Sequence, residues 1–431
     1  MLLKSLHLEN FRQFEELHID FDEKMTVLVG PNASGKTAVL DAAAVSLATF
    51  FYAFDVPMKP IARSDARLAS SRIGGFEEVR AMYPVRVEAC GEVLGESLSW
   101  TRTLNTDTGK TTRVEAKQMI DLSKSVRAKL DMDVDSKTEG RALVLPLISY
   151  YGTGRLWAQK RLKQEGKFDA YKRELGYENC LDAASDDKRF MSWMERMDYA
   201  EYKERRPVSQ YRMVCDVMAR LFASVSDSAK AEASYDPRVK DAVVRFYQNG
   251  SPIELPLHSL SDGYRTVLGM VGDMAYRMCE LNPQLGGDAI RKTPGVVLID
   301  EVDLHLHPKW QVRVLRDLEE QFPLVQFIVT THAPSVIASV DKTNIRMLDG
   351  TDMPGLPQSQ TYGRDASSIF REVMDAPQRQ SDVEDLFLQL NDSIDREDVK
   401  RAKMLVEELE SKIGDSDPDL TAARTTIWLM E

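Results

Sequence analysis

The stretch that decides the fold is MTVLVGPNASGKT, residues 25–37. Residues 25–29 form an apolar run, which is typical of a strand buried on both faces of a sheet. Residues 30–37 match the phosphate-binding pattern G-x-x-x-x-G-K-[ST] at every fixed position. Residues 38–52 are rich in Ala and Leu at helical spacing, so a helix is expected directly after the loop. The segment therefore predicts a phosphate loop, whose backbone N–H groups and helix N-terminus bind phosphate oxygens.

The residues of this loop have separate expected roles in binding ATP with Mg²⁺. Lys36 is expected to reach the β- and γ-phosphates, and the Thr37 hydroxyl is expected to ligate Mg²⁺. The other predicted nucleotide contacts are Asn32, Ala33, Ser34, Gly35 and Ala38. A chance glycine-rich turn is the alternative, but the strand and the helix on either side favour phosphate binding.

Two further apolar runs are followed by polar residues that suit ATP hydrolysis. Residues 297–299 lead into Asp300, expected to hold Mg²⁺ mostly through water, and Glu301, expected to polarise the attacking water. Residues 325–330 are followed closely by His332, whose imidazole could donate to the γ-phosphate or orient water. Solvated acids at a strand end and a structural histidine are the alternatives. The repeat of buried strands and helices predicts an α/β fold with a mostly parallel sheet.

A third segment, residues 260–263, precedes a helix that is expected to begin near Tyr264. Ser261 is expected to cap this helix. Its hydroxyl, the Gly263 N–H and the helix dipole would together form an anion site. Without the other motifs, a plain N-cap is an equally good interpretation of this segment.

Composition and charge limit the classes of protein to which the chain can belong. It has 431 residues, 43% of them hydrophobic, which is ample for a large core and suggests two to three domain-sized units. No apolar run approaches the roughly 18 residues that a membrane helix needs, and the four cysteines form no CxxC pair. We therefore expect a cytoplasmic protein with reduced thiols and no membrane partner. The net charge of −12 argues against a surface that coats nucleic acid, but a local basic groove stays possible.

Taken in order, the four motifs resemble the Walker A loop, the signature motif, the Walker B strand and the switch histidine of ABC-type ATPases. The segments LENFR at 8–12, IDEVDLHLHP at 299–308 and TTHAP at 330–334 resemble the soluble RecF, OLD and SMC-type heads rather than transporter subunits. The resemblance implies an ABC-type P-loop head with a mixed, mostly parallel sheet. One departure is the absence of a glutamine after the strand expected at 143–151, where the family has its glutamine loop.

The resemblance also implies roles in a pair of heads that closes around ATP. Ser261 and Gly263 would complete the ATP site of another copy, so hydrolysis would need two heads. Asp303 and His305 lie where the family's D-loop crosses between heads. Arg12 lies where SMC-type heads place an arginine near the phosphates.

The motifs divide the chain into four expected parts. Residues 1–154 would be the N-terminal part of the head with Walker A, and residues 155–255 a compact helical insert lobe. Residues 256–350 would carry the signature motif, Walker B, the D-loop and the switch histidine, and residues 351–431 a helical extension. The polar run at 105–141 is expected to be mobile or peripheral.

A narrower resemblance concerns the ATPases of bacterial anti-phage systems. It depends on YYGTGR at 150–155, LSDGYR at 260–265 and YGRDASS at 362–368, together with the acidic helical tail. Septu-type ATPases, which work with an HNH nuclease, are the best match, and the ATPase of PARIS-type defence is close behind. The resemblance implies a regulatory ATPase that controls an effector nuclease on another chain. A RecF-like DNA repair clamp and a nucleotide-binding scaffold with little hydrolysis are the alternatives.

No nuclease activity is expected of the chain itself. Asp303, His305 and His307 could mimic a metal cluster, but interface packing and capping before Pro308 are the favoured interpretation. The tail at 381–431 is the candidate handle for a partner. Its apolar stripe would dock either on another chain or on its own head, and the stripe comprises Val399, Ala402, Leu405, Leu409 and Ile413.

Overall fold

The structure, a computed structural model, describes residues 1–73, 76–135, 143–156, 172–183, 187–226, 230–248, 250–375 and 379–430. The chain forms two compact units, the large unit Met1–Gly363 and the C-terminal unit Arg364–Glu431. The described strands are β1 (Leu2–Phe11), β2 (Phe14–Asp20), β3 (Met25–Val29), β4 (Leu68–Ile73), β5 (Phe76–Ala81), β6 (Val85–Val93), β7 (Glu96–Leu104), β8 (Leu147–Tyr151), β9 (Ala231–Asp236), β10 (Asp241–Gln248), β11 (Ser251–Pro256), β12 (Gly295–Ile299), β13 (Val325–Thr330) and β14 (Ile345–Met347).

The described helices are α1 (Lys36–Leu47), α2 (Lys117–Asp135), α3 (Asp187–Glu204), α4 (Ser209–Val225), α5 (Asp262–Leu281), α6 (Ala289–Lys292), α7 (Pro308–Gln311), α8 (Val314–Gln321), α9 (Pro334–Ile337), α10 (Ala366–Glu372), α11 (Ser381–Asp395), α12 (Val399–Ile413) and α13 (Pro418–Leu429). Among the described residues, every helix is too short or too polar to cross a lipid bilayer. The four cysteines are free, and Cys180, Cys215 and Cys279 are buried.

A parallel sheet forms the centre of the large unit, in the order β14-β3-β13-β12-β8. Every residue of β3, β8, β12 and β13 is buried, which explains why these strands are mostly apolar and do not alternate with polar residues. The predicted α/β class with a mostly parallel sheet is confirmed. Because parallel strands end at the same edge, the residues after β3, β12 and β13 meet there, and ligands bind at such an edge.

A second, antiparallel sheet in the order β2-β1-β6-β7 lies in the same unit. Its last strand, β7, is hydrogen-bonded to α1. The indole Nε1 of Trp100 on β7 donates to the Ser46 carbonyl of α1 at 3.0 Å, and both residues are fully buried. Helix α1 is accordingly buried along nearly its whole length. Its alanines let it pack closely against its neighbours.

The prediction that 105–141 is mobile or peripheral is wrong for most of the run. Residues 117–135 form α2, which buries Met119, Val126 and Leu130. Its Ser123 hydroxyl, also buried, donates to the Phe50 carbonyl at 2.7 Å. The mean polarity of the run hid an apolar stripe at helical spacing, because an amphipathic helix needs only one apolar face. Residues 136–142 lie outside the described residues.

The predicted helical lobe at 155–255 is only partly helical. Helices α3 and α4 are followed by an antiparallel sheet in the order β11-β10-β9. The signal for these strands was the run of β-branched and aromatic residues at 243–247, bounded by polar turns. Residues 157–171 of the lobe lie outside the described residues.

The C-terminal unit is helical from α10 (Ala366–Glu372) onward, whereas the helical extension was expected to begin at residue 351, and residues 351–363 belong to the large unit. The predicted apolar stripe on α12 packs within this unit against residues of α11 and α13, and the buried cluster includes Leu390, Leu405, Leu409, Leu420 and Ile427. The stripe is therefore used for intramolecular packing and is not a free docking face. The prediction of it as a partner handle is wrong on this point, because three helices of this length bury their apolar faces against one another.

Candidate functional site

The loop between β3 and α1 has the backbone geometry of a phosphate cradle. Ala33 and Gly35 adopt left-handed conformations with φ of 66° and 97°. A Cβ at Gly35 would lie 1.8 Å from Gln13 Nε2, and one at Gly30 would lie 2.3 Å from the Leu348 carbonyl oxygen. Both fixed glycines of the motif are therefore required, because neighbouring atoms leave no room for a Cβ at either position. At Gly35 the positive φ is a second reason.

Lys36 lies over its own loop and is only 7% exposed. Its Nζ donates to the carbonyls of Gly30 at 2.8 Å and of Pro31 at 2.9 Å. Burial lowers the pKa of Lys36, although Asp300 and Glu301 act in the opposite direction. The hydroxyl oxygen of Ser34 is buried and makes no hydrogen bond to the described residues. The Lys36 amine, held by two carbonyls, and the Ser34 hydroxyl, which has no partner among the described residues, both suit a loop that binds phosphate oxygens.

Asp300, directly after β12, contacts the phosphate loop across the edge of the sheet. Its Oδ2 accepts a hydrogen bond from the Thr37 hydroxyl at 2.9 Å, and its Oδ1 accepts one from the Thr330 hydroxyl at 2.6 Å. The two residues expected to hold Mg²⁺ are thus adjacent, and both offer the oxygen atoms that this ion prefers. The described residues contain no group of three or more Asp, Glu, His or Cys placed to hold a metal. So few protein ligands suit Mg²⁺, which keeps waters and phosphate oxygens in its shell.

Glu301 is held in a left-handed conformation with φ of 48°. Its N–H donates to the Thr330 hydroxyl oxygen at 2.7 Å. Thr330 therefore positions both acids, by donating to Asp300 and accepting from Glu301. This residue was missed at the sequence level. No local signal identifies it, because only the register of β12 and β13, which pair from Gly295 and Val325, places residue 330 beside residue 300.

His332 lies among the charges of the same edge. Burial and Lys36 lower its pKa, whereas Asp303, Glu301 and Asp300 act to raise it. The lowered pKa keeps the imidazole neutral at neutral pH, so that one ring nitrogen can accept and the other donate. The structure thus brings together the predicted residues Lys36, Thr37, Asp300, Glu301 and His332.

The segment 260–263 leads into α5 as predicted, but Ser261 does not cap it with its side chain. Ser261 occupies the N-cap position without a side-chain capping hydrogen bond, and it is exposed. A Cβ at Gly263 would lie 2.5 Å from the His305 carbonyl oxygen, so this turn packs against the predicted D-loop of the same chain. His307 caps α7 through its Nδ1, which agrees with the capping role favoured from the sequence.

Comparisons with known proteins agree with this arrangement. A model described as an AAA domain matches residues 5–194, and one described as an AAA domain, putative AbiEii toxin, Type IV TA system, matches residues 164–338. The retron Vc95 probable ATPase of Vibrio cholerae serotype O1 biovar El Tor is 24% identical over 85% of this chain and 77% of its own. The retron Ec83 probable ATPase of Escherichia coli is 25% identical over 87% of this chain and 76% of its own.

Two further comparisons concern shorter or more distant matches. A Septu protein PtuA of Bacillus mycoides is 44% identical, over 18% of this chain and 10% of its own. The solved SMC head bound to the C-winged helix domain of ScpA has a TM-score of 0.50 at 15% identity, covering 83% of this chain and 97% of that one. The chain is an ABC-type ATPase of the RecF/SMC-like class. The predicted family, fold class and ATPase activity are confirmed.

In this ATPase, the guanidinium of Arg12 is paired with two carboxylates. Its Nη2 lies 2.8 Å from Asp41 Oδ2, and its Nε donates to Asp65 Oδ1 at 2.9 Å. Burial alone would lower the pKa of Arg12, but the two carboxylates raise it. Lys59 binds the same Asp41 at 2.6 Å. A phosphate contact for Arg12 stays a prediction, and it would require this network to exchange partners.

The position of the missing glutamine is occupied by a different link. Tyr151, the last residue of β8, donates its hydroxyl proton to Asp273 Oδ2 at 2.7 Å. Asp273 also accepts from Arg277 Nε at 2.7 Å, and both residues belong to α5. The end of β8 is thus hydrogen-bonded to the helix that begins at the predicted signature motif.

Proposed function

We propose that this ATPase is the regulatory subunit of an anti-phage defence system and controls an effector nuclease carried on a separate chain. The observation that carries the proposal is the extent of the retron matches, which span most of this chain and of the relatives. The Septu matches support the same role, because the resemblance to Septu-type ATPases implies an HNH nuclease as partner. An ATPase cycle would then switch the partner on or off.

The proposed chemistry uses the residues that meet at the edge of the central sheet. Lys36 and the loop N–H groups bind the phosphates of ATP, and Thr37 and Asp300 hold Mg²⁺. Mg²⁺, when bound, would neutralise the charge that develops on the phosphate oxygens. Glu301 orients the attacking water and accepts its proton, while neutral His332 donates to the γ-phosphate.

We further propose that two copies of the chain close around ATP. Support comes from Ser261, which is exposed at the start of α5 and makes no side-chain capping hydrogen bond. An exposed hydroxyl at a helix N-terminus suits the γ-phosphate held by the partner copy. The link from Tyr151 to Asp273 would transmit the state of one site to the signature motif of the same chain.

Trans assembly can be tested by mixing two inactive variants. Ser261→Arg introduces a bulky cation that blocks the ATP site it faces on the partner copy, and Lys36→Ala removes the phosphate contact. Each variant alone should lose phosphate release, whereas a mixture should recover part of it, because one intact composite site forms per mixed pair. The absence of rescue at any mixing ratio, with both variants folded, would contradict two-copy closure.

The defence role can be tested by phage plaque counts on cells that carry the gene with its genomic neighbours. Lys36→Ala should abolish protection, while the exposed control Lys129→Ala should retain it. Purified wild-type protein should not cut DNA with Mg²⁺, Mn²⁺ or Zn²⁺, because the activity belongs to the partner. Protection that survives Lys36→Ala, or DNA cleavage by the protein alone, would contradict this division of labour.

A RecF-like role in DNA repair is the second candidate. A RecF of Picosynechococcus sp. is 32% identical over 24% of this chain and 29% of its own. Such a short match indicates that this chain and RecF share ATPase motifs, but it is weak support for a shared role in DNA repair. ATP-dependent gripping of duplex DNA without a partner chain would favour the repair clamp over the regulatory subunit.

A further inference from the structure

A basic pocket lies in the large unit, outside the residues assigned to ATP. It has a volume of about 440 Å³. Three segments line it, the loop at 58–63, the end of β7, and the loop at 109–113. Among the described residues, the cations that line it are Arg63, Arg102, Lys110 and Arg113, and no acidic residue does so. In a chain with a net charge of −12, four cations without an acid in one wall are an unusual concentration of positive charge.

Arg102 is the reason to regard this pocket as a built site. The residue is 2% exposed, and its one hydrogen bond to the part of the chain that the structure describes runs from Nη1 to the neutral hydroxyl of Thr49 at 3.2 Å. Its Nε is buried and has no hydrogen-bond partner among the described residues. A buried guanidinium is normally paired with a carboxylate, because an unpaired charge is costly to remove from water. Arg102 therefore has an unused N–H and an unbalanced charge in the wall of a cavity.

The neighbours of Arg102 add to this charge instead of balancing it. Burial, and then the nearby Arg113, lower the pKa of Arg102 to about 10, so it still carries its charge at neutral pH. Arg113 is exposed and stacks 5.4 Å from the ring centre of Tyr52. Two acids near these cations in sequence are occupied elsewhere, since Glu115 binds Arg86 and Asp65 binds Arg12. Asp107, which precedes the loop at 109–113, is not among the residues that line the pocket.

Hydrogen bonds between the segments fix the shape of the pocket. Ile61 N donates to the Thr111 hydroxyl oxygen at 3.0 Å, and Thr112 N donates to the Thr103 carbonyl at 2.7 Å. Apolar side chains of Met58, Ile61 and Leu104 line the remaining wall. A cationic floor beside an apolar wall fits a phosphate group attached to an organic body better than it fits a bare anion.

We propose that this pocket is a second oxyanion site, separate from the phosphate loop, which binds a phosphate group of a nucleotide or of a nucleic-acid strand. Arg102 binds the phosphate at the base of the pocket, and Lys110 and Arg113 bind it from the rim. The apolar wall contacts the attached sugar or base. The site does not depend on the proposed defence role, and it differs from the ATP site in its residues.

The test measures binding to the full-length chain saturated with ADP, so that the phosphate loop is already filled. The probes are inorganic phosphate and dTMP, by calorimetry, and a 3′-labelled single-stranded oligonucleotide with or without a 5′-phosphate, by fluorescence anisotropy. The variants are Arg102→Met at the base and the double variant Lys110→Gln with Arg113→Gln at the rim. The matched control is Lys129→Gln with Arg291→Gln, which removes the same charge from exposed cations elsewhere.

At least one probe should bind the wild-type chain and lose tenfold or more in affinity in both pocket variants, with less than a twofold change in the control. Binding of phosphate and dTMP but not of the oligonucleotide would identify a small phosphorylated ligand. Binding of the oligonucleotide, with a salt dependence reduced by roughly 1 to 1.5 logarithmic units per decade in the rim variant, would identify a nucleic-acid strand. If no probe depends on the pocket variants more than on the control, the proposal is wrong. The exposed rim variant keeps this test valid if Arg102→Met fails to fold.

Discussion

The phosphate loop and the basic pocket each contain a buried cation, but the two cations have opposite surroundings. Lys36 is 7% exposed and lies near Asp300 and Glu301, with two loop carbonyls as hydrogen-bond acceptors. Arg102 is 2% exposed and has a single neutral acceptor and another arginine nearby. A nucleotide site must balance charge in the absence of its ligand and still bind a polyanion. The positive charge of the pocket is not balanced by any acid among its described lining residues. A bound anion would supply that balance.

The largest expected effect is on turnover at the balanced site. Glu301→Gln keeps the shape of the side chain but cannot accept a proton from water, so hydrolysis should fall by about 10² to 10⁴. ATP affinity should be retained, because Lys36 and the loop are untouched, and the variant should trap ATP in a larger closed species. Phosphate release and size-exclusion chromatography measure the two effects.

The control for this variant is Glu320→Gln, an exposed acid on α8. It should leave turnover within twofold of wild type. If Glu301→Gln turned over ATP at the wild-type rate, Glu301 would not be the residue that activates water. The acidic charge near Lys36 would then have no assigned function.

The next effect concerns a third buried cation, Arg277, which is fully paired. It is 3% exposed, its Nε binds Asp273, and its Nη1 donates to two backbone carbonyls at 2.9 Å. Arg277→Met should destabilise the protein by about 3 to 5 kcal/mol, because it leaves the partly buried Asp273 without its cationic partner. Urea denaturation measures this, with exposed Arg316→Met as control, and a loss below about 1 kcal/mol would show that the pair is dispensable.

A smaller effect is expected from Lys36→Ala on ATP affinity. Each charge-assisted hydrogen bond to phosphate is worth about 1.5–3 kcal/mol, so affinity should fall at least roughly tenfold. Calorimetry on the folded variant, beside Lys129→Ala, measures this directly. Oligonucleotide or dTMP binding at the basic pocket should not change, which would establish that the two cations serve different sites. Unchanged ATP affinity would mean that the nucleotide site is misassigned.

The sequence was sufficient to predict the site residues that lie in one contiguous segment or directly after a buried strand. The loop at 30–37 is contiguous, and Asp300, Glu301 and His332 follow buried strands, so strand order alone brings them together. Thr330 and the partners of Arg12 depend on side-chain contacts between distant segments, and neither was predicted. The strands at 231–256 and helix α2 were missed because their apolar positions are diluted by polar residues on the exposed face.

The basic pocket could not be predicted for a related reason. Its cations come from residues 63, 102, 110 and 113, on three segments that no sequence motif connects. The overall acidity of the chain argued against a surface that coats nucleic acid, although it did not exclude a local basic groove. The apolar stripe of α12 illustrates the opposite error, since a pattern visible in the sequence has an intramolecular partner. Burial and pairing, which decide both cases, are properties of the folded chain.

The smallest expected effect is the one that most directly separates the two kinds of buried cation. Arg102→Met keeps the aliphatic stem and removes a charge that no described carboxylate balances, so stability should be unchanged or higher, with a gain on the order of 1 kcal/mol. The same substitution at Arg277 should be strongly destabilising, and the two variants measured side by side in urea cancel any general effect of Arg→Met. A protein that tolerates Arg102→Met without loss of stability, yet loses affinity for phosphate probes, keeps this arginine for binding. A loss of several kcal/mol in Arg102→Met would instead show that Arg102 stabilises the fold through Thr49, and the pocket would then lose its main support as a ligand site.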